Sequence, residues 1–173
     1  PRTRHDRTPR VDDRLMHLLL LVESERGYRN LLKIVSRAYL EGFYHKPRAD
    51  LELLAEHSEG LIATSACLSG PVAKHLAEGR AEEAERWLRA LLEIFGTDRF
   101  YLEVQDHGLP EERKAYRGVV ELARRYGVPL VASNDSHYLR QADARVQDVL
   151  VCIQSGKTLR DAQRLKFEND QFY

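Results

Sequence analysis

Four short apolar runs, "LMHLLLLVE" (15–23), "GLIATSACLSG" (60–70), "RFYLEVQDHG" (99–108) and "VPLVAS" (128–133), alternate along the chain with segments of helical periodicity. Runs of this length bounded by Gly and Pro read as strands, and strand–helix order repeated about four times predicts a parallel α/β sheet or barrel. Four units are too few to close the usual eight-stranded barrel, so the chain reads as the later part of an α/β barrel. A partial barrel of this kind exposes strand edges and apolar helix faces.

The helical segments carry their own punctuation. In "GYRNLLKIVSRAYLEGF", Tyr28, Leu31, Leu32, Val35, Ala38, Tyr39 and Phe43 recur at helical spacing and predict an amphipathic helix. Asp50 is placed to cap "LELLAEHS", and Pro71 to open the next helix. Glu78-Gly79-Arg80 divides 72–95 into two helices, the second buried through Trp87, Leu88, Leu91, Leu92 and Phe95. Pro110 with Glu111 and Glu112 opens a helix that Gly127 closes. "DARVQDVLVCIQSG" reads as the helix after the fourth strand, with Cys152 on its apolar face with Val149 and Ile153. Residues 1–14 read as an extended arm, 15–154 as the domain, and 155–173 as a polar, irregular tail.

Equal numbers of basic and acidic residues, 27 each, give no overall charge with which to attract nucleic acid. The arm's arginines (2, 4, 7, 10 and 14) and "ARRYG" read as solvated surface, although either could touch a phosphate backbone. Two cysteines make no disulfide framework and point to a reducing cytoplasm, and no apolar stretch is long enough to cross a bilayer. The chain begins without Met, which points to a piece of something longer or to processing.

In parallel α/β folds the loops after the strands' carboxyl ends build the site. The second strand runs to Cys67, the third to Asp106 and His107, and the fourth to Asp135 and His137. Residues two apart on an extended strand share a face, so Asp135 and His137 could converge on one metal or reacting group. Each residue has a plainer reading too. Cys67 alone suits a buried apolar position, His107 a turn before Pro110, and His17, between Met16 and Leu18, a core histidine far from that rim. Glu103 shares parity with Gln105 and His107, though an ion pair is the simpler expectation. His5, His45, His57 and His75 sit in polar or helical surface contexts without a role. A cysteine hydrolase using Cys67 with His107 or His137 as base stays open on residue types alone, whereas no phosphate-binding glycine loop is present.

Taken together, "DRTPRVDD", "HLLLLVESERGYRNLLKIVSRAYLEGFYHKPR", "AEHSEGLIATSACLSG", "FYLEVQDHGLPEER", "VASNDSHYL" and "VLVCIQSGKTL" resemble the polymerase-and-histidinol-phosphatase (PHP) domain of bacterial DNA polymerase III alpha subunits. The resemblance spans essentially the whole chain in order and spacing. It implies a (βα)7 PHP-type barrel with up to three divalent metals at one rim. By position it implies His17, Cys67, Asp135 and His137 as metal ligands, with His107, in a signature at the same rim, as the candidate catalytic residue. The family's upstream ligand motifs do not occur before His17, so the first half of the barrel is expected to be missing, and the tail leads toward a polymerase palm.

The implied function is that of a piece of a replicative DNA polymerase. Its PHP domain would perform metal-dependent phosphodiester hydrolysis of the 3′–5′ exonuclease, proofreading type. Zinc or manganese would occupy the PHP site, and magnesium the absent polymerase site. The implied partners are DNA, the rest of the alpha chain and other replisome subunits. A non-catalytic, metal-stabilised structural module and a stand-alone PHP-superfamily phosphoesterase are the alternatives.

Overall fold

The computed structural model describes residues 3–12 and 15–173. Pro1, Arg2, Asp13 and Arg14, parts of the expected arm, lie outside the described residues. The described residues form a mixed α/β fold of four strands and six α-helices. Strands β1 (Leu19–Val22), β2 (Leu61–Thr64), β3 (Phe100–Val104) and β4 (Leu130–Ala132) lie side by side in chain order. Helices α1 (Glu25–Leu40) and α2 (Leu51–Glu56) separate β1 from β2. Helices α3 (Pro71–Ala77) and α4 (Ala81–Phe95) join β2 to β3, and α5 (Pro110–Tyr126) joins β3 to β4. A short 3-10 turn, Gln141–Asp143, leads into α6 (Ala144–Ser155).

The expected local signals are where the sequence puts them. Asp50 caps α2 by accepting from the Leu53 N–H at 3.0 Å. Pro71 and Pro110 open α3 and α5, and Gly127 ends α5 in the left-handed conformation at φ 64°. The core forms where α4 and α5 meet β2 and β3, around Leu88, Leu91, Phe95, Leu61, Phe100, Leu102 and Val119. Phe100 and Leu102 serve this core, so the alternation of the strand turns Tyr101 and Glu103 to the opposite face.

Four expectations are corrected. The sheet is not all parallel: β2, β3 and β4 run together, but β1 is antiparallel to β2, pairing Leu19 with Thr64 and Val22 with Leu61. Of the apolar residues at helical spacing from Tyr28 to Phe43, Ala38 is buried and Leu31 packs against the core, but Tyr28, Leu32, Val35, Tyr39 and Phe43 are exposed, and Gly27, Asn30 and Ile34 complete the face turned to the protein. The cause is a close approach: a Cβ on Gly27 would stand 1.8 Å from the Gly60 carbonyl oxygen, so this face alone fits against the turn before β2. Cys152 is buried as expected, but beside Val151, with Val149 and Ile153 outward. His57 and His75 are buried; the His75 Nδ1 lies 2.5 Å from the Pro71 carbonyl oxygen and closes the first turn of α3.

The described part of the arm, 3–12, has turns but no helix or strand, and it is anchored. Arg4 is buried against Glu41, Asp50 and Glu52, so it is neither solvated nor free to meet a phosphate. In "ARRYG", Arg125 pairs with Glu85 on the exposed surface. No helix among the described residues is long and apolar enough to cross a membrane.

Candidate metal centre

The reversed direction of β1 solves the placement of His17. An antiparallel strand brings its amino end to the rim where the parallel strands have their carboxyl ends, and Leu19 pairs with Thr64 at the end of β2. The His17 N–H donates to the Ser69 carbonyl at 3.0 Å. Its Nδ1 then lies 3.7 Å from the Cys67 Sγ.

The loop holding Cys67, residues 65–70, is tightly closed. Ala66 adopts the left-handed conformation at φ 56°, and the Gly70 N–H donates to the Cys67 carbonyl at 2.8 Å. A Cβ on Gly70 would come within 1.9 Å of the Ser65 carbonyl oxygen, so only glycine fits there. Burial pushes the Cys67 thiol above its ordinary range; a hydrogen bond from Ser69 opposes this and the nearby charge of Asp135 adds to it. That is the reverse of an activated nucleophile, which weakens the cysteine-hydrolase alternative.

His107, beyond the end of β3, is almost wholly buried, with both ring nitrogens engaged. Its Nδ1 is 2.6 Å from Glu112 Oε1, and its Nε2 accepts from the Asp135 N–H at 3.2 Å. A carboxylate at Nδ1 fixes the tautomer with the proton on that nitrogen, leaving Nε2 as the acceptor. Glu112 Oε2 also accepts from the His107 N–H at 2.7 Å. His107 therefore clamps the backbone at Asp135 to the first turn of α5. Asp106 turns away into solvent and accepts from the Gly108 N–H at 3.0 Å.

Strand β4 stops at Ala132, so Asp135 and His137 do not converge through strand alternation. Instead the chain folds back: His137 Nδ1 lies 2.7 Å from the Asp135 carbonyl oxygen and 4.0 Å from Asp135 Oδ1. With Nδ1–H given to that carbonyl, Nε2 keeps its lone pair for a ligand.

Glu103 is buried without an ion pair among the described residues, contrary to the simpler expectation. Its carboxylate accepts from the hydroxyls of Thr64 and Ser133 and from Gln105 Nε2, and its own N–H donates to Ser65 Oγ. One side chain thus ties together the ends of β2, β3 and β4, three residues before Cys67 and two before Asp135.

The ligand geometry fits a metal in part. Tetrahedral zinc with one sulfur and one imidazole ligand places those atoms about 3.5 Å apart, close to the 3.7 Å between His17 and Cys67. Among the described residues no three His, Cys, Asp or Glu side chains converge in metal-binding geometry. The rim thus brings together two pairs of side chains, His17 with Cys67 and Asp135 with His137. Glu112, Thr64, Ser133 and Phe172, which organise them, were not read from the sequence as residues of the rim. The first-turn position of Glu112 was a usable signal, and so was the aromatic pair in "KFENDQFY", where Phe172 stacks on His107 at 4.4 Å.

Comparison with known proteins identifies the family. The PHP domain model matches residues 4–107, and the chain belongs to that family. It is 49% identical over 174 aligned positions to DNA polymerase III subunit alpha of Treponema pallidum, covering all of this chain and 15% of that relative. The Thermus aquaticus subunit of the same name is 49% identical over 94% of this chain and 13% of its own length. That of Deinococcus radiodurans is 43% identical over 99% and 13%. The chain thus spans about one seventh of the length of these relatives.

Proposed function

We propose that this chain is part of the PHP domain of a bacterial DNA polymerase III alpha subunit, acting in DNA replication in the cytoplasm. Whole-chain similarity to proteins of that name supports the parent. Partners would be DNA, the rest of the polymerase chain and other replisome subunits. The finer fold is the later part of a (βα)7 barrel whose first half is missing. Leu19, Leu21 and Val22 on β1 and Leu130 on β4 are exposed, as edges left open for further strands would be.

The observation that carries the site is the approach of His17 to Cys67 beside the Asp135–His137 loop. His17 Nδ1 and Cys67 Sγ would hold one face of a divalent cation, zinc or manganese, with Asp135 and His137 Nε2 toward the other. When bound, such a cation activates water near neutral pH and neutralises charge on a phosphodiester, the chemistry of 3′–5′ exonucleolytic proofreading. His107 serves by holding the Asp135 backbone, and Glu103 by aligning the loop starts.

A non-catalytic, metal-stabilised module is the second reading. It is favoured by the complete engagement of His107 and by the absence of a three-ligand cluster among the described residues. The polymerase names of the relatives leave little support for a stand-alone phosphoesterase.

The test is elemental analysis of the purified protein beside His137→Ala, with shortening of a 3′-labelled DNA strand and thermal melting measured on both. Bound zinc or manganese, lost in the variant together with DNA shortening, supports the catalytic reading. Metal that raises the melting temperature without any shortening supports the structural one. A wild-type chain that retains no zinc or manganese sinks both.

A further inference from the structure

Residues 157–173 contain neither helix nor strand, and within them Phe172 alone is buried. A solvated tail needs no such anchor, and the contacts of this one are concentrated on the rim. The Phe172 ring lies parallel to His107, 4° between planes and 4.4 Å between centroids. The Phe172 carbonyl accepts from the N–H groups of His137 at 2.8 Å and Tyr138 at 3.3 Å, while its own N–H donates to Tyr138 Oη at 3.2 Å. Asn169 Nδ2 donates to the His107 carbonyl at 2.7 Å, and Asn134 Nδ2 to the Tyr173 carbonyl at 3.0 Å. Phe167 closes against the His137 ring at 4.6 Å and against Phe172 at 4.9 Å.

We propose that Phe172 is a positioning residue of the rim, and that residues 166–173 form a strap fixing His107 and His137 together. The inference rests on the metal reading above and deepens it. One residue holds both histidines by different means: its ring fixes the plane of His107, and its carbonyl fixes the backbone of His137. The His137 ring is then confined between the Asp135 carbonyl and the Phe167 ring, which sets the direction of Nε2. His107 in turn holds the Asp135 N–H, so displacement of Phe172 would reach both candidate ligands of this loop.

Two variants of the 173-residue chain test this: Phe172→Leu, which keeps an apolar side chain but abolishes the ring stack, and Asn169→Ala, which leaves the buried anchor intact. Zinc affinity by chelator competition and the histidine ring resonances by NMR are measured on each. Zinc binding should weaken by about ten- to a hundredfold in Phe172→Leu, the usual cost of losing a group that orients a ligand, and by less in Asn169→Ala. The ring signals of both His107 and His137 should shift in Phe172→Leu while those of exposed His5 stay in place. Unchanged zinc affinity with unchanged ring signals overturns the strap. The resonances are also read without metal, so a wild-type chain that binds no zinc refutes the metal reading while the ring signals still decide the strap.

Discussion

The arm anchor and the rim are both built from buried charge, and they solve the problem in opposite ways. At the anchor Arg4 meets Glu41 at 2.8 Å and Asp50 and Glu52 at 3.0 Å. Arg48 closes the same region by donating to the carbonyls of Gly42, Asp12 and Arg4. Cations and carboxylates there consume one another. At the rim, Glu103 and Glu112 are held by hydroxyl, amide, backbone and imidazole donors, with no Lys or Arg partner among the described residues. Neutral donors orient carboxylates without adding positive charge, so the cation proposed for this rim would meet an undiminished negative potential. The first pattern makes a joint, and the second suits the proposed site.

Breaking the joint should give the largest loss of stability. Arg4→Ala strands Asp50, whose side chain is only 6% exposed, without its guanidinium. Removing one partner of such a pair costs about 3–5 kcal/mol, read by urea titration, with metal content unchanged. The pH dependence has a definite sign. Hydrogen bonds from Arg37 and Arg4 lower the Glu41 carboxyl to about 2. Burial would raise Asp50, but the N–H groups of Arg4 and Leu53 and the Arg4 side chain outweigh it and bring it below its ordinary value. Carboxylates depressed in the folded state contribute stability that is present above the ordinary carboxylate range and is lost as the pH falls through their folded values. Without the Arg4 guanidinium, acid unfolding should begin at higher pH.

A smaller loss of stability with an added functional signature is expected at the rim. Glu103→Ala leaves the Thr64 and Ser133 hydroxyls and the Gln105 amide without their buried acceptor, at about 2–3 kcal/mol. Unlike Arg4→Ala, it should also weaken zinc binding about tenfold, because it loosens the starts of both ligand loops. A Glu103→Ala protein that melts early yet binds zinc as the wild type does would reduce the rim network to a second joint.

The same division explains what was legible in the sequence. Caps and breaks such as Asp50, Pro71, Pro110 and Gly127 act over one helical turn, and each was read correctly. The direction of β1 was not, because a strand's orientation is set by its partner and "LMHLLLLVE" carries no mark of it. That one reversal decides whether His17 is a core residue or a neighbour of Cys67. The stripe of α1 misled for a related reason: its apolar face is broad, and the close approach of Gly27 to Gly60 chooses which flank of it is buried. Resemblance to the PHP family named His17, Cys67, Asp135 and His137, and the geometry pairs the first two. The residues that orient them, Glu112, Ser133 and Phe172, lie far apart in sequence and meet only in the fold.

Tyr116 offers the smallest and most discriminating test of the comparison. Its hydroxyl is buried and has no hydrogen-bond partner among the described residues. Burial above all, and then the charges of Glu112, Cys67, Glu103 and Asp135, push its ionisation upward, so it stays a neutral O–H donor behind the rim. A buried hydroxyl that bonds to nothing costs stability, and Tyr116→Phe removes it while keeping the ring packed in the core. The variant should gain about 1 kcal/mol, measured as a shift in the urea midpoint at constant slope. If it loses stability instead, the hydroxyl has a partner in solution. A water held between it and the rim acidic groups would be the simplest one, and zinc affinity should then fall in the same variant. A gain with zinc affinity untouched would mark Tyr116 as the point where the packed core ends and the preorganised rim begins.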